Sequence, residues 1–125
     1  MSLGIIVLGH GSRAIVGEAN KVTFQITDMV KAKMQHDLIE TAIMNRESGL
    51  QGISEAVAKL VAGGAKNIKI VPMFLTNGMH IKSDIPEEIE ALSTEYPGVT
   101  ISMTGHIGAD PRIADILVER IREAL

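Results

Sequence analysis

The chain has no cysteine and no tryptophan, and its 125 residues include only two phenylalanines and one tyrosine. The absence of cysteine excludes a disulfide scaffold, and a reduced, cytoplasmic location is the default expectation. Three aromatic side chains offer almost no platform for stacking bases, and a net charge of −3 provides no basic surface for phosphates. No apolar run approaches the roughly 18 residues of a membrane span. The sequence therefore predicts neither a nucleic-acid partner nor a membrane segment.

The rest of the composition is that of an ordinary globular domain. Hydrophobic residues make up 46% of the chain and charged residues 22%, and seven methionines join the aliphatic residues in place of aromatics. A length of 125 residues suits one domain with one core. Residues 1–125 are therefore expected to fold as a single unit.

Short apolar runs alternate with segments of helical spacing along the whole chain. Four runs are typical of strands: Leu3–Leu8, Leu38–Met44, Ile68–Pro72 and Val99–Met103. The first reads as a strand buried on both faces, whereas Glu40 and Thr41 weaken the pattern of the second. A helix is expected after each strand. The alternation predicts an α/β fold of three layers, in which a four-stranded parallel sheet in the flavodoxin-like order 2-1-3-4 is flanked by helices.

The first helix is expected over about 13–35, and the last begins at Asp110-Pro111, where Asp suits the N-cap and Pro the first helical position. Ser83 and Asp84 are the candidates to cap the third helix. The sequence also predicts which helix faces are directed inward. These faces consist of Ile15, Ala19, Val22, Ile26, Met29 and Lys33 in the first helix and Ile113, Ile116, Leu117, Ile121 and Leu125 in the last.

Three histidines follow predicted strands. In an open parallel sheet, ligands bind beyond the carboxyl ends of the strands where the strand order reverses, which for this order lies between the first and third strands. His10 follows the first strand, His80 lies in the loop after the third, and His106 follows the fourth. Either they form a functional site or each is an ordinary hydrogen-bonded histidine, and the pattern alone leaves both readings open.

The segment Gly9–Arg13 could be an anion-binding turn before a helix N-terminus. It lacks the G-x-G-x-x-G pattern of dinucleotide sites and the lysine of a P-loop. A phosphoryl-transfer enzyme with His10 as nucleophile is a weaker alternative, because Gly9 stands where histidine phosphatases have arginine. A plain strand-to-helix turn is the simplest reading.

Two imidazoles suit a divalent transition metal such as Co, Ni, Fe or Zn. A site with only two protein ligands stays open, which fits an ion that must be handed on, whereas structural sites are closed by four ligands. Imidazole, with an ordinary pKa of about 6.5, also accepts protons. Metal delivery combined with proton acceptance is what metal insertion into a tetrapyrrole requires.

Three segments carry a family resemblance. They read VLGHGSR at 7–13, VPMFL at 71–75 followed by Gly78, His80 and DIP at 84–86, and DPR at 110–112 after Gly108. Together they resemble the small CbiX-type sirohydrochlorin cobaltochelatases of the class II chelatase family over essentially the whole chain.

The resemblance implies a homodimer that inserts Co²⁺ into sirohydrochlorin in anaerobic cobalamin biosynthesis, without ATP and without an organic cofactor. It also implies that His10 and His80 bind the metal and act in catalysis. Relatives insert Fe²⁺ or Ni²⁺ instead, so the metal stays open. A non-catalytic carrier of metal or tetrapyrrole is the alternative from another class.

The sequence departs from the family pattern after the second strand. The family often has a glutamate, an aromatic residue and a second carboxylate there. Here Glu40 matches, but Ile43 replaces the aromatic residue and Asn45 the carboxylate. We therefore hypothesise that His106 partly replaces the missing ligand.

The expected substrate is a large, flat polycarboxylate, and it sets two further requirements. Its carboxylates need local donors, for which Ser12, Arg13 and Lys82 are the candidates. Its apolar face needs side chains that adapt to it. The candidates are Met73, Phe74, Leu75 and Met79, which could equally be core or dimer-contact residues.

Overall fold

A computed structural model of the protein describes residues 2–11 and 17–125, with residue 80 described by its main chain only. Four parallel strands form one sheet in the order β2-β1-β3-β4, which confirms the predicted topology. The strands lie within a residue or two of the predicted runs. They are β1 (Leu3–Gly9), β2 (Ile39–Ile43), β3 (Asn67–Pro72) and β4 (Thr100–Met103).

A helix follows each strand: α1 (Glu18–Met34), α2 (Ile53–Ala62), α3 (Ile85–Glu95) and α4 (Pro111–Glu123). A short 3-10 turn at Arg46–Ser48 precedes α2, and a π-helical turn at His80–Asp84 runs directly into α3. In the described part of the chain, no helix is both long enough and apolar enough to cross a bilayer.

The two predicted helix caps have different outcomes. Asp110 caps α4 as predicted, because its carboxylate accepts a hydrogen bond from the main-chain nitrogen of Arg112 at 2.9 Å. The cap predicted at Asp84 is wrong. Asp84 has helical dihedral angles and its side chain makes no capping hydrogen bond, because the π-helical turn extends the helical chain before α3.

The larger core lies on one face of the sheet, beneath α2 and α3. The side chains of Ile6 and Leu8 in β1 and of Ile68 and Ile70 in β3 are fully buried there. Residues of α2 and α3 complete the cluster, among them Val57, Leu60, Ile85 and Leu92.

On the opposite face, α1 buries a polar stripe, so the apolar face predicted for this helix is wrong. Its buried residues are Asn20, Thr23 and Thr27, whereas Val22 and Met29 are 41% and 55% exposed. The hydroxyl of Thr41 in β2 donates to Thr27 at 2.7 Å, and Thr27 in turn donates to the carbonyl of Thr23 at 2.9 Å. Small polar side chains let α1 approach the sheet closely. The predicted position Ile15 lies outside the described residues.

The face predicted to be buried in α4 is not buried within the chain. No residue of this helix is buried. Ile116, Leu117 and Ile121 are 48%, 58% and 60% exposed. The connection from β4 is bound to the extension of β3, since Thr104 donates its main-chain N–H to Ile70 at 2.9 Å and Ile107 donates to Phe74 at 3.1 Å. The helix leaves the sheet from this fixed connection.

Candidate functional site

His10 lies at the centre of the sheet's carboxyl edge. Its main-chain carbonyl accepts a hydrogen bond from Asn45 at 3.0 Å, so β1 and β2 stay paired beyond their formal ends. On the other side, Met73 donates to the carbonyl of Leu8 at 2.8 Å. The histidine therefore follows the innermost strand at the predicted switch point, flanked by the extensions of β2 and β3.

The two glycines around His10 are required by packing. A methyl group built at Gly9 would lie 2.5 Å from the hydroxyl oxygen of Thr23 in α1. Gly11 has a φ of +83°, which is accessible to glycine, and a methyl group there would overlap the side chain of buried Ile43. The G-H-G pattern thus lets α1 and β2 approach the histidine segment. The predicted donors Ser12 and Arg13 lie outside the described residues.

The side chain of His10 is exposed and contacts Phe74. The two ring centroids are 5.7 Å apart and the ring planes are inclined by 60°. Phe74 is half-buried and packs against the edge of the larger core, so the ring that contacts the imidazole is itself held by packing. Phe74, predicted as apolar support for a substrate, is here the support of a candidate metal ligand.

The loop after β4 brings His106 to the same edge. Ile107 and Gly108 donate main-chain hydrogen bonds to the carbonyl of Phe74 at 3.1 and 3.4 Å. The half-buried ring of His106 lies against Gly108, where an added methyl group would be 3.6 Å from the His106 Nε2 atom. The loop that carries His106 is thus attached to the residue that contacts His10.

His80 is the first residue of the π-helical turn before α3, and its side chain lies outside what the structure describes. Single π turns in helices occur frequently at functional sites. The turn is anchored by a hydrogen bond from the main-chain nitrogen of Lys82 to the carbonyl of Gly78 at 3.1 Å. Among the described side chains, no group of three histidines and carboxylates is close enough to hold a metal ion.

The predicted apolar support residues lie in different places. Leu75 and Met79, in the loop between β3 and the π-helical turn, are 62% and 72% exposed. Lys82, the predicted carboxylate donor, is exposed one residue beyond Ile81 in that turn. Met73 lines an apolar groove on the α1 face of the sheet. Leu75, Met79 and Lys82 therefore share one exposed segment, and Met73 does not belong to it.

Glu40 and Asn45, at the two family carboxylate positions after the second strand, make local contacts. The carboxylate of Glu40 accepts a hydrogen bond from Gln51 at 2.8 Å and lies 3.9 Å from the ammonium of Lys59, beside α2. Glu40 also precedes the end of β2 by three residues. The side chain of Asn45 accepts a hydrogen bond from the main-chain nitrogen of Glu47 at 3.0 Å and caps the 3-10 turn. The departure at Asn45 thus stabilises a turn beside His10.

A cleft of about 1060 Å³ opens at the same edge, between the 3-10 turn and the first turns of α2 and α3. Arg46, Glu55, Asp84, Glu87 and Glu88 are among its lining residues. Burial raises the pKa of the Glu88 carboxyl, and the positive charge of Arg46 partly counters that effect. Glu87 and Glu88 also stand in the first turn of α3, where negative charge suits the helix dipole. The cleft itself follows from how two helices and a turn converge, which no local pattern reveals.

The fold and its edge define a class: a doubly wound α/β domain with histidines in the loops at the carboxyl edge of a parallel sheet. The CbiX family model matches residues 4–124, so the chain belongs to the CbiX family.

Among curated relatives, the chain is 35% identical to the sirohydrochlorin cobaltochelatase of Sulfurisphaera tokodaii, covering 98% of this chain and 93% of that protein. It is 34% identical to the sirohydrochlorin ferrochelatase of Priestia megaterium, covering 95% of this chain but 43% of that longer protein.

Among solved structures, SirB from Bacillus subtilis with Fe³⁺ superposes with a TM-score of 0.86 at 30% identity, covering 99% of this chain and 48% of that one. SirB from Bacillus subtilis subspecies spizizenii in complex with cobalt gives a TM-score of 0.85, also at 30% identity, covering 98% and 51%. The chain therefore spans about half the length of these SirB chains, yet nearly all of the Sulfurisphaera protein.

Proposed function

We propose that this protein inserts a divalent metal ion, with Co²⁺ as the physiological ion, into sirohydrochlorin. The observation that carries the proposal is the similarity to the Sulfurisphaera cobaltochelatase over almost the full length of both chains. The homodimer implied by the family resemblance, the place in cobalamin biosynthesis and the cytoplasmic location expected from the composition are parts of the same proposal.

In the proposed mechanism, His10 and His80 hold the ion on one face of the tetrapyrrole. Imidazole binds Co²⁺, Ni²⁺ and Fe²⁺ through a neutral ring nitrogen, and two ligands leave coordination positions for the pyrrole nitrogens. As metal–nitrogen bonds form, the pyrrole nitrogens lose their N–H protons. Once an imidazole has released the ion, its ring nitrogen accepts one of these protons and passes it to water. The Phe74 ring beside His10 keeps the imidazole oriented throughout.

The exposed segment after β3 is the proposed substrate support. Leu75 and Met79 would cover part of the macrocycle's apolar face, because their side chains are largely exposed in this segment. Lys82 would pair with a substrate carboxylate, and Ser12 and Arg13 remain proposed carboxylate donors. His106 would contact the ion or the substrate from the loop attached to Phe74.

The alternative metal is iron, which the similarity to the Priestia ferrochelatase favours. Affinity alone cannot identify the ion, because nitrogen sites follow the Irving–Williams order whichever metal is physiological. The decisive measurement is therefore the insertion rate under competition. Purified protein, sirohydrochlorin and equal concentrations of Co²⁺, Fe²⁺ and Ni²⁺ are combined without oxygen, and the metallated products are separated and quantified. A predominance of the cobalt product is expected, and a predominance of iron or nickel product would overturn the cobalt assignment.

The histidine roles are tested by His10→Ala and His80→Ala, which should each remove most of the insertion activity. The matched control is His36→Gln, because the His36 ring contacts the carbonyl of Leu3 at 2.6 Å, at the opposite end of β1. The control should keep the wild-type rate at 25 °C. If the wild-type protein gives no acceleration over a protein-free reaction with any of the three metals, but binds metal or sirohydrochlorin, it is a carrier and the enzyme proposal is wrong.

A further inference from the structure

The polar stripe of α1 includes one residue that packing alone does not explain. Asn20 lies on the buried face of the helix and is only 3% exposed. Thr23 and Thr27 satisfy their hydroxyls locally, since each donates to the carbonyl four residues earlier in the helix. The amide of an asparagine is costly to bury, and asparagine is a poor helix former. Packing alone would favour leucine, which has the same branching, at position 20.

Asn20 lies against the chain directly after His10. A methyl group built at Gly11 would be 3.0 Å from the Oδ1 atom of Asn20. On the other side of the histidine, a methyl group built at Gly9 would be 2.5 Å from the hydroxyl oxygen of Thr23. Positions 20 and 23 are about one turn apart in α1, so they share one face of the helix. The helix therefore holds both glycines that flank the histidine.

Gly11 decides the direction of the chain after His10. Its φ is +83°, and glycine has the widest choice of main-chain conformations, so the surroundings have to select one of them. Ile43 and Asn45 surround the site of the absent side chain from the β2 side, and Asn20 closes the α1 side. The main-chain hydrogen bond from Asn45 to His10 fixes only the residue before the glycine.

The orientation of the His10 ring depends on this stretch of main chain. The ring is exposed and contacts Phe74 with 5.7 Å between the ring centroids, so a rotation at Gly11 would displace the imidazole relative to Phe74. An amide has both donors and an acceptor, and it therefore restrains its neighbours in direction as well as in distance. A leucine at position 20 would fill space without this restraint.

We propose that Asn20 is a positioning residue, which holds the Gly9–Gly11 segment so that the His10 imidazole is presented to the metal ion. The metal-binding role of the imidazole rests on the proposed function, whereas the orientation of the ring does not. Loss of a residue that orients a metal-binding histidine costs about 10- to 100-fold in metal affinity. A displacement of about 1 Å can also cost about 100-fold in rate.

Two measurements on the full chain carrying Asn20→Leu test the proposal. The first is the nuclear Overhauser contact between the His10 and Phe74 rings in metal-free protein, with His10→Ala used to identify the His10 resonances. Asn20→Leu should weaken or remove this contact. The second is the dissociation constant for Co²⁺, followed by visible absorption without sirohydrochlorin, which should rise by about 10- to 100-fold. In insertion assays, kcat should fall more than KM for sirohydrochlorin changes.

The matched control is Thr27→Val, in the same buried polar stripe about two turns beyond Asn20. It removes a buried hydroxyl that accepts a hydrogen bond from Thr41, so it should lower the midpoint of urea unfolding. The ring contact and the Co²⁺ affinity should nevertheless keep their wild-type values. If Asn20→Leu does not fold, as judged by circular dichroism, Asn20→Ala replaces it, because alanine is the best helix former.

A wild-type ring contact in Asn20→Leu would overturn the proposal, because Asn20 would then only pack. Equal losses in Asn20→Leu and Thr27→Val would overturn it as well, since they would reflect a general loosening of α1. A displaced ring in Asn20→Leu, together with a His10→Ala variant that binds Co²⁺ as tightly as the wild type, refutes the metal role of His10 alone. An undisplaced ring in a protein that inserts metal normally refutes this inference alone.

Discussion

The close approach of α1 to β1 at Gly9 allows a prediction whose size follows from the structure. In Gly9→Ala, the new methyl carbon would lie 2.5 Å from the Thr23 hydroxyl oxygen, 2.8 Å from its methyl carbon and 3.1 Å from its Cβ atom. Ordinary contacts between such atoms are about 3.5–4.0 Å long. Thr23 cannot easily turn away, because β-branched side chains are stiff in helices and its hydroxyl donates to Ala19 at 3.1 Å. The helix must therefore move outward.

Overpacking of this kind costs about 1–3 kcal/mol. Because Gly9 does not have a positive φ, the substitution also removes freedom from the unfolded chain, which offsets about 0.4–1 kcal/mol. We expect Gly9→Ala to lower the free energy of unfolding by about 1–2 kcal/mol. The metal insertion rate should fall as well, since the displaced segment continues into His10.

The assay is a double-mutant cycle with Thr23→Ala, measured by urea unfolding. That second change deletes the two atoms nearest to the new methyl group and leaves only the Cβ contact. The free energy of unfolding of the double variant should therefore exceed the value expected from adding the two single effects by about 1 kcal/mol. This coupling energy is of the usual size for residues in contact. Gly98→Ala is the matched control, because nothing lies within 4 Å of a methyl group there, and it should not destabilise the protein. Effects that add within about 0.5 kcal/mol would refute the steric reasoning.

Three further predictions concern other parts of the molecule. Burial raises the pKa of the Glu88 carboxyl, so the folded state favours its protonated form, and the free energy of unfolding falls as pH rises through the folded-state pKa. Glu88→Gln should flatten this pH dependence in unfolding measurements between pH 4 and 8. Thr41→Val should destabilise the fold by about 1 kcal/mol in urea, because Thr27 loses the buried hydroxyl that donates to it, and an unchanged midpoint would contradict this. Phe74→Leu removes the ring against His10 and should lower the insertion rate more than tenfold in spectrophotometric assays, a prediction that wild-type activity would disprove.

The strand order could be predicted because both local signals and general rules agree on it. Apolar runs of strand length alternate with helical spacing, and right-handed crossovers with a reversal after the first strand give the observed β2-β1-β3-β4 sheet. The prediction of the buried α1 face is wrong for a specific reason. Periodicity assigns the apolar stripe to the core, but the sheet in contact with α1 carries Gly9 and Thr41, which favour the short polar side chains Thr23 and Thr27.

The candidate site could be predicted only in part. The position of His10 follows from its place after the first strand, because carboxyl ends of parallel strands converge at one edge. The contact of His10 with Phe74 depends on the path of the loop after β3, which no periodicity encodes. Glu40 is the opposite case. Its residue type and position match the family pattern, but its carboxylate accepts a hydrogen bond from Gln51 beside α2.

Phe74 links the candidate site to the connection that precedes α4. Its ring contacts His10, while its carbonyl accepts the hydrogen bonds from Ile107 and Gly108 that hold the connection to α4. A side-chain change at Phe74 should disturb the imidazole but spare the main-chain hydrogen bonds, and with them the departure of α4. A fall in the insertion rate of Phe74→Leu with an unchanged circular dichroism spectrum would therefore act through the His10 imidazole and not through the path of the chain after β4.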